Sequence, residues 1–298
     1  MWLKQVLGFP GWSDKSICWK CRADWGRYDW RDVGAAAAWR SARHSDRTFF
    51  AQMRAMGVAP SPIFNLPGFK LDHICIDVLH ALDLGFTQVV LANIIWEYKE
   101  FCEGSTMKVR ISKVWTKLKA HYRTMCTPNR LQDLTVTMVR KDNGSLKMRT
   151  KGADTRSLVP FGVILASEMH EEQQSSHTKS VYVCISHLLD FYMLMCLPEY
   201  NVQAGAEACR RCLSMYKALS LEAASNGEEQ RWKLTPKAHL FQELAEFQSA
   251  QWGNPRNFWT YADEDFVGWV ATIARSRGGP KQASTAARRV MERYRAMK

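Results

Sequence analysis

Three short stretches carry residue types suited to chemistry. Asp77-Val-Leu-His80 sets a carboxylate and an imidazole three positions apart within the apolar run LDHICIDVLHALDLG at 71–85. On a helix the two share a face about one turn apart, which suits a common metal ion or a hydrogen-bonded pair. The plainer role pairs Asp77 with a nearby cation and packs His80 as a satisfied, partly buried ring. Cys18-Trp-Lys-Cys21 has the spacing at which two thiolates reach one tetrahedral zinc ion. It is half a site: His44, His73 and Cys75 are candidate completing ligands, and two packed thiols in a turn is the alternative. Trp259-Thr-Tyr-Ala-Asp-Glu-Asp265 opens a helix with acids, a placement the helix dipole favours without any catalysis. Within the first stretch, Asp83 reads as plain helix surface, while Asp72 and His73 suit the cap region where the helix begins.

The elements that must position these groups are mostly helical. Ile74, Val78, Leu82, Phe86, Val89, Val90, Ile94, Ile95 and Tyr98 recur at three- and four-residue steps, and Gly104 suits a C-cap. A basic amphipathic helix follows over 107–125, with Val109, Val114, Leu118 and Tyr122 inward and Lys108, Lys113, Lys117 and Lys119 outward. Further helices are expected over 153–172, 177–197, 204–224, 236–248, 264–277 and 284–297, separated by QQSSHT, PEYN, SNGEE, WGNPRN and GGPK. LTVTMV at 134–139 fits strand or helix equally. Residues 1–70 form an irregular segment with six of the tryptophans, a helix over 32–50 capped by Asp32, and a proline-rich loop at 60–69. Cys209 and Cys212 fall in a helical pattern and read as core.

The balance of 41 Lys and Arg against 29 Asp and Glu leaves a net charge of +12, which favours a polyanionic partner. The densest basic run, Arg275, Arg277, Lys281, Arg288, Arg289, Arg293, Arg295 and Lys298, reads as a solvated face or a phosphate-tracking surface. Nine scattered cysteines point to a reducing compartment rather than a disulfide framework. No uninterrupted apolar segment of about 18 residues stands out, and the opening MWLKQVLGFPGW is too broken for a secretory signal, so neither a membrane partner nor secretion is expected.

Taken in order, GFPGWS at 8–13, CWKC at 18–21, IFNLPGF at 63–69, IDVLH at 76–80, KGADTRSL at 151–158, HLFQEL at 239–244 and GNPRNFWTYADED at 253–265 resemble the C-terminal half of CACTA-type DNA transposases. The shared order covers most of the chain, although each motif alone is loose. The resemblance implies a mostly α chain holding the helical insertion (about 105–235) and returning core helices (about 236–298) of an incomplete ribonuclease-H-like core. It assigns Asp77 and His80 to the family's Asp-x-x-His signature, Glu264 to its third acidic metal ligand, and Cys18 and Cys21 to its paired cysteines. Asp154 falls on a family aspartate of unclear purpose. It further implies DNA as partner, Mg2+ as metal and, together with the basic charge, a nuclear location; zinc is the expectation of the Cys18–Cys21 spacing, and a homo-oligomer stays open.

The departures from the family bear on activity. Gly8 stands where an aspartate is expected, the first catalytic aspartate has no counterpart, and Asp265 replaces the arginine after the glutamate. Two-ion phosphoryl transfer needs several carboxylates to hold two Mg2+ ions. The expectation is therefore a transposase-derived DNA-binding protein without complete strand-transfer activity on its own. The competing expectations are a helical interaction or scaffold protein, and a small metal-dependent nuclease built on Asp77, His80 and Glu264.

Overall fold

The computed structural model describes Phe9, residues 15–275 and positions 288, 291 and 292, with the side chains of 263, 264, 269, 270 and 273–275 outside that description. The first α-helix, α1 (Asp46–Ala55), starts where Ser45 and Thr48 form a capping box. The helix expected over 32–50 does not form. Asp32 instead accepts the Gly34 N–H in a local turn, and only Ala38–Arg40 makes a single 3-10 turn. Residues 71–73 also form a 3-10 turn, so Asp72 and His73 lie before the central helix rather than at its cap.

That central helix, α2 (Leu79–Phe101), begins with a π-helical stretch, Leu79–Phe86, before its regular turns Thr87–Tyr98. It is long and apolar enough by composition to cross a membrane, although the sequence shows no uninterrupted apolar run; most of its apolar window is buried within the protein. Every residue from Thr87 to Ile95 is buried, so the helix is enclosed on all sides. A basic helix, α3 (Met107–Thr124), follows, capped by Thr106. Its buried stripe is Ile111, Val114, Leu118 and Tyr122; Val109, expected inward, lies off that stripe and is exposed.

Residues 134–139 resolve as one helical turn, Val136–Val139. The helix expected over 153–172 is two, α4 (Gly152–Ser157) and α5 (Val159–Gln173), because Pro160 is tolerated only in the first turn of a new helix. Gly162 lets α5 approach α2 closely: a Cβ there would lie 2.7 Å from Leu91 Cδ2. Next come α6 (Ser176–Cys196), α7 (Val202–Ser225) and α8, which runs unbroken through Pro236–Gln242, the π-helical Glu243–Gln248 and Ser249–Trp252. Helices α6 and α7 pack along each other, α5 packs on α2 and α6, and α8 lies against the π-helical start of α2 and against α7. Cys209 and Cys212 are core, as expected. The fold is mostly helical, with no β-strand among the described residues.

The chain divides into two compact units, 1–258 and 259–298. The Trp-rich segment belongs to the first and is fastened to α8. Arg40 makes a bidentate pair with Glu246 at 2.8 and 2.9 Å, and Gln242 donates to the Val33 carbonyl at 3.1 Å. The second unit contains α9 (Tyr261–Arg275).

Candidate metal centre

The Cys-x-x-Cys turn is built by local hydrogen bonds. Ile17 N–H donates to the Ala23 carbonyl at 3.0 Å, and Lys20 N–H donates to Cys18 Sγ at 3.3 Å. Arg22 and His44 N–H groups then tie the turn to the 42–44 segment through the Ala42 and Lys20 carbonyls, which sets Arg43 beside Cys21. The completing groups come from α8. His239 and Glu243 are four residues apart and therefore share one helix face, and that face meets the turn.

Cys18, Cys21, His239 and Glu243 each offer one ligand atom, all within 4.8 Å of one another, and all four residues are buried. Cys21 Sγ lies 3.4 Å from His239 Nε2, which lies 3.7 Å from Glu243 Oε1. A tetrahedral zinc ion with bonds of about 2.0–2.3 Å holds its ligand atoms roughly 3.3–3.8 Å apart. The Trp39 ring stands edge-on to His239 at 4.5 Å between centroids and fixes the imidazole plane.

The electrostatics of this cluster are unusual for a core. Burial pushes both thiols upward. Cys21 stays well above its ordinary range, while the hydrogen bond from Cys21, with His239 beside it, brings Cys18 down to about 5. Arg43 supplies the one cation bonded to the carboxylate, with Nη1 donating to Glu243 Oε1 at 2.6 Å. Glu243 Oε2 and His239 Nδ1 are buried without a hydrogen-bond partner among the described residues. The orphaned Glu243 oxygen is costly unless something else satisfies it; His239 meets the cluster through Nε2, so its Nδ1 is not an atom that an ion there would satisfy. Two thiolates and a carboxylate carry three negative charges, which one dication together with Arg43 would neutralise. The donor set and its charge therefore fit zinc.

The other candidate ligands lie elsewhere. His44 bonds Thr48 Oγ1, and burial, with Arg22 and Arg43 nearby, lowers it to about 4. His73 accepts the Lys70 N–H and packs its ring near Phe69 and Trp252. Cys75 is half-buried and outside the cluster. Sequence spacing did not single out His239 and Glu243 as ligands. The one available signal was His-x-x-x-Glu inside HLFQEL, which places two ligand types on one helical face.

Asp77 and His80 do meet, with His80 Nδ1 2.5 Å from Asp77 Oδ2. The carboxylate also accepts the N–H groups of Leu79 at 3.1 Å and His80 at 2.9 Å. These N–H groups open the helix, so the Asp77 carboxylate satisfies free donors of its first turn. Lys237 Nζ donates to the His80 carbonyl at 2.7 Å and ties α8 to the same turn. Among the described residues no further acid or imidazole joins the pair in a group of three or more potential metal ligands. Asp83, expected at the helix surface, is fully buried and accepts a hydrogen bond from Tyr192 Oη. The π-helical winding of 79–86 shifts the face on which it falls.

Glu264 lies on α9, in the second unit, and its side chain is outside the described residues. Of the basic run, Arg288 is exposed and pairs with Glu292 at 3.6 Å. Arg277, Lys281, Arg289, Arg293 and Arg295, with the Arg275 side chain, lie outside the described residues. Asp154 sits on α4. No family model matches the chain, and no curated protein or solved structure matches it either.

Proposed function

We propose that this chain is a nuclear, DNA-binding protein of transposase descent whose fold is fastened by a structural zinc ion. In this reading α2 and α8 are the remains of an incomplete ribonuclease-H-like core, and α3 to α7 are its helical insertion. The protein lacks complete Mg2+-dependent strand transfer by itself. The observation that carries the DNA-binding part is where the surplus positive charge lies. Arg40, Arg43, Arg210 and Arg231 are consumed in ion pairs with Glu243, Glu246, Glu97 and their neighbours. Lys108, Lys119 and Arg123 on α3 are exposed and make no ion pair among the described residues. Exposed cations outside ion pairs, Lys119 lying over the Trp115 ring, on a chain of net +12 suit a phosphate backbone.

Zinc supports this function indirectly. When bound it would join the turn at Cys18 and Cys21 to α8 through His239 and Glu243, holding the Trp-rich segment on the helical body. Closed coordination by four protein groups is the mark of a structural rather than catalytic ion. The test is fluorescence anisotropy with duplex DNA between about 50 and 200 mM salt. A DNA binder loses affinity steeply over that range, with a slope set by the phosphates contacted. A chain with no DNA affinity at either salt concentration would return the protein to the scaffold class.

A further inference from the structure

Segment 146–151 alternates in burial. Leu146 and Met148 are buried and Lys147 is half-buried, while Arg149 and Lys151 are exposed. Its backbone is pinned on two sides. Lys147 and Arg149 N–H groups donate to the carbonyls of Val139 and Met138 at 3.0 and 2.8 Å, and Met148 N–H donates to Gln88 of α2 at 3.0 Å. In an extended chain, residues two apart point the same way about 6.6–6.8 Å apart. Lys147, Arg149 and Lys151 therefore make a short row of cations on a rigid support.

This row forms one wall of a cleft of about 870 Å3, whose lining also includes Arg130 and Lys141. Against these five cations stand two acids, Asp133 and Asp154. Asp133 Oδ1 already accepts the Leu134 N–H at 2.8 Å. Lys141, Arg149 and Lys151 make no ion pair among the described residues. Lys147 Nζ spends one hydrogen on the Leu84 carbonyl at 2.9 Å, which steadies it with donors to spare. A concave surface lined by one sign of charge concentrates the potential within it.

The lining contains no aromatic residue. A cleft that binds unpaired bases uses aromatic faces as stacking platforms, and this one has none to offer. Its five cations are suited to phosphate oxygens. We propose that this cleft seats the phosphodiester backbone of duplex DNA, with Lys147, Arg149 and Lys151 contacting phosphates in succession and no base being read. The proposal rests on the DNA-binding reading above and adds the surface that performs it.

The experiment compares the full chain with Arg149→Glu/Lys151→Glu and with Lys108→Glu/Lys119→Glu on α3, using duplexes of two unrelated sequences and a single-stranded oligonucleotide. All four substituted positions are exposed, and thermal melts establish that each variant is folded; Arg149→Gln/Lys151→Gln serves as the milder form. The cleft variant is expected to lose about tenfold or more in duplex affinity at low salt, equally for both sequences. Its salt slope should become shallower by about two, one unit per phosphate contact removed. If the full chain binds duplex while the cleft variant binds as tightly as it does, the cleft inference falls and the DNA-binding reading stands. Tighter binding to the single strand than to the duplex overturns the inference in the same way. If the full chain binds no DNA at all, both readings fall.

Discussion

Two carboxylates, Glu97 on α2 and Glu243 on α8, are each nearly removed from water, yet their surroundings differ in kind. Glu97 is met by donors. Arg231 and the Trp232 indole N–H both reach Oε1, and His177 Nε2 lies 3.0 Å from Oε2. His177 in turn bridges to Glu222 at 2.8 Å. The hydrogen bond to Glu97, working against burial and assisted by Glu222, raises His177 to about 9, so it is a cation at neutral pH. Glu243 accepts from Arg43 and otherwise lies beside two thiols, weak donors at best, and the His239 imidazole. In the first group both carboxylate oxygens of Glu97 meet donors, although Arg231 Nε is buried without a partner among the described residues. In the second, Glu243 Oε2 is an orphaned acceptor beside two thiols, an arrangement that a cation would complete. Burial alone does not separate a structural polar cluster from a ligand site; the donor count does.

The largest test of that contrast is zinc itself. Purified protein is expected to carry one zinc per chain by elemental analysis, and Cys18→Ser to carry none. Chelation of the full chain should then lower stability by about 4 kcal/mol, the linkage of a ligand held at a thousandfold excess over its Kd, and Tm by roughly 8 °C or more. Cys18→Ser should melt at the chelated temperature and respond no further to chelator. A zinc-free protein whose Tm ignores chelator would make Glu243 part of a second structural polar cluster and erase the distinction.

An intermediate effect is expected from the Glu97 network, and its sign is fixed. His177 binds its proton more tightly folded than unfolded, so its contribution is fully present below about 6.5 and is lost as pH rises through about 9. The melting temperature should fall across that window, and His177→Gln should flatten the fall without changing zinc content. A variant with the full chain's pH profile would show that the network is held by Arg231 and Trp232 alone.

The smallest effect belongs to Asp77. As a helix cap, Asp77→Ala should cost about 1 kcal/mol in urea unfolding, with zinc content unaltered. A Mg2+-dependent rise in Tm of the full chain that Asp77→Ala abolishes would instead mark the carboxylate as a metal ligand.

Much of this organisation was legible in the sequence. The helices over 107–125, 177–197 and 204–224 carry their own periodicity, and Thr106, Ser175 and Asn201 cap them as side-chain chemistry requires. The reading failed where a tertiary or backbone decision overrode a local one. Asp32 preferred a turn with Gly34 to capping a helix. Asp83 was placed on the surface by a 3.6-residue count, but π-helical winding carried it into the core beneath Tyr192. Half the candidate metal site was visible because Cys18 and Cys21 are three positions apart. The other half was not, since Cys21 and His239 lie 218 positions apart and nothing local ties them.

By itself the sequence determined the helical class, the positive surplus and the two local pairs, because periodicity, charge and one-turn spacing are properties of adjacent residues. Only the tertiary structure decided that the cysteine turn meets α8 and that Lys147, Arg149 and Lys151 line a cleft. Those juxtapositions follow from the packing of distant segments around α2, and a linear spacing rule holds no information about which remote face a turn will meet.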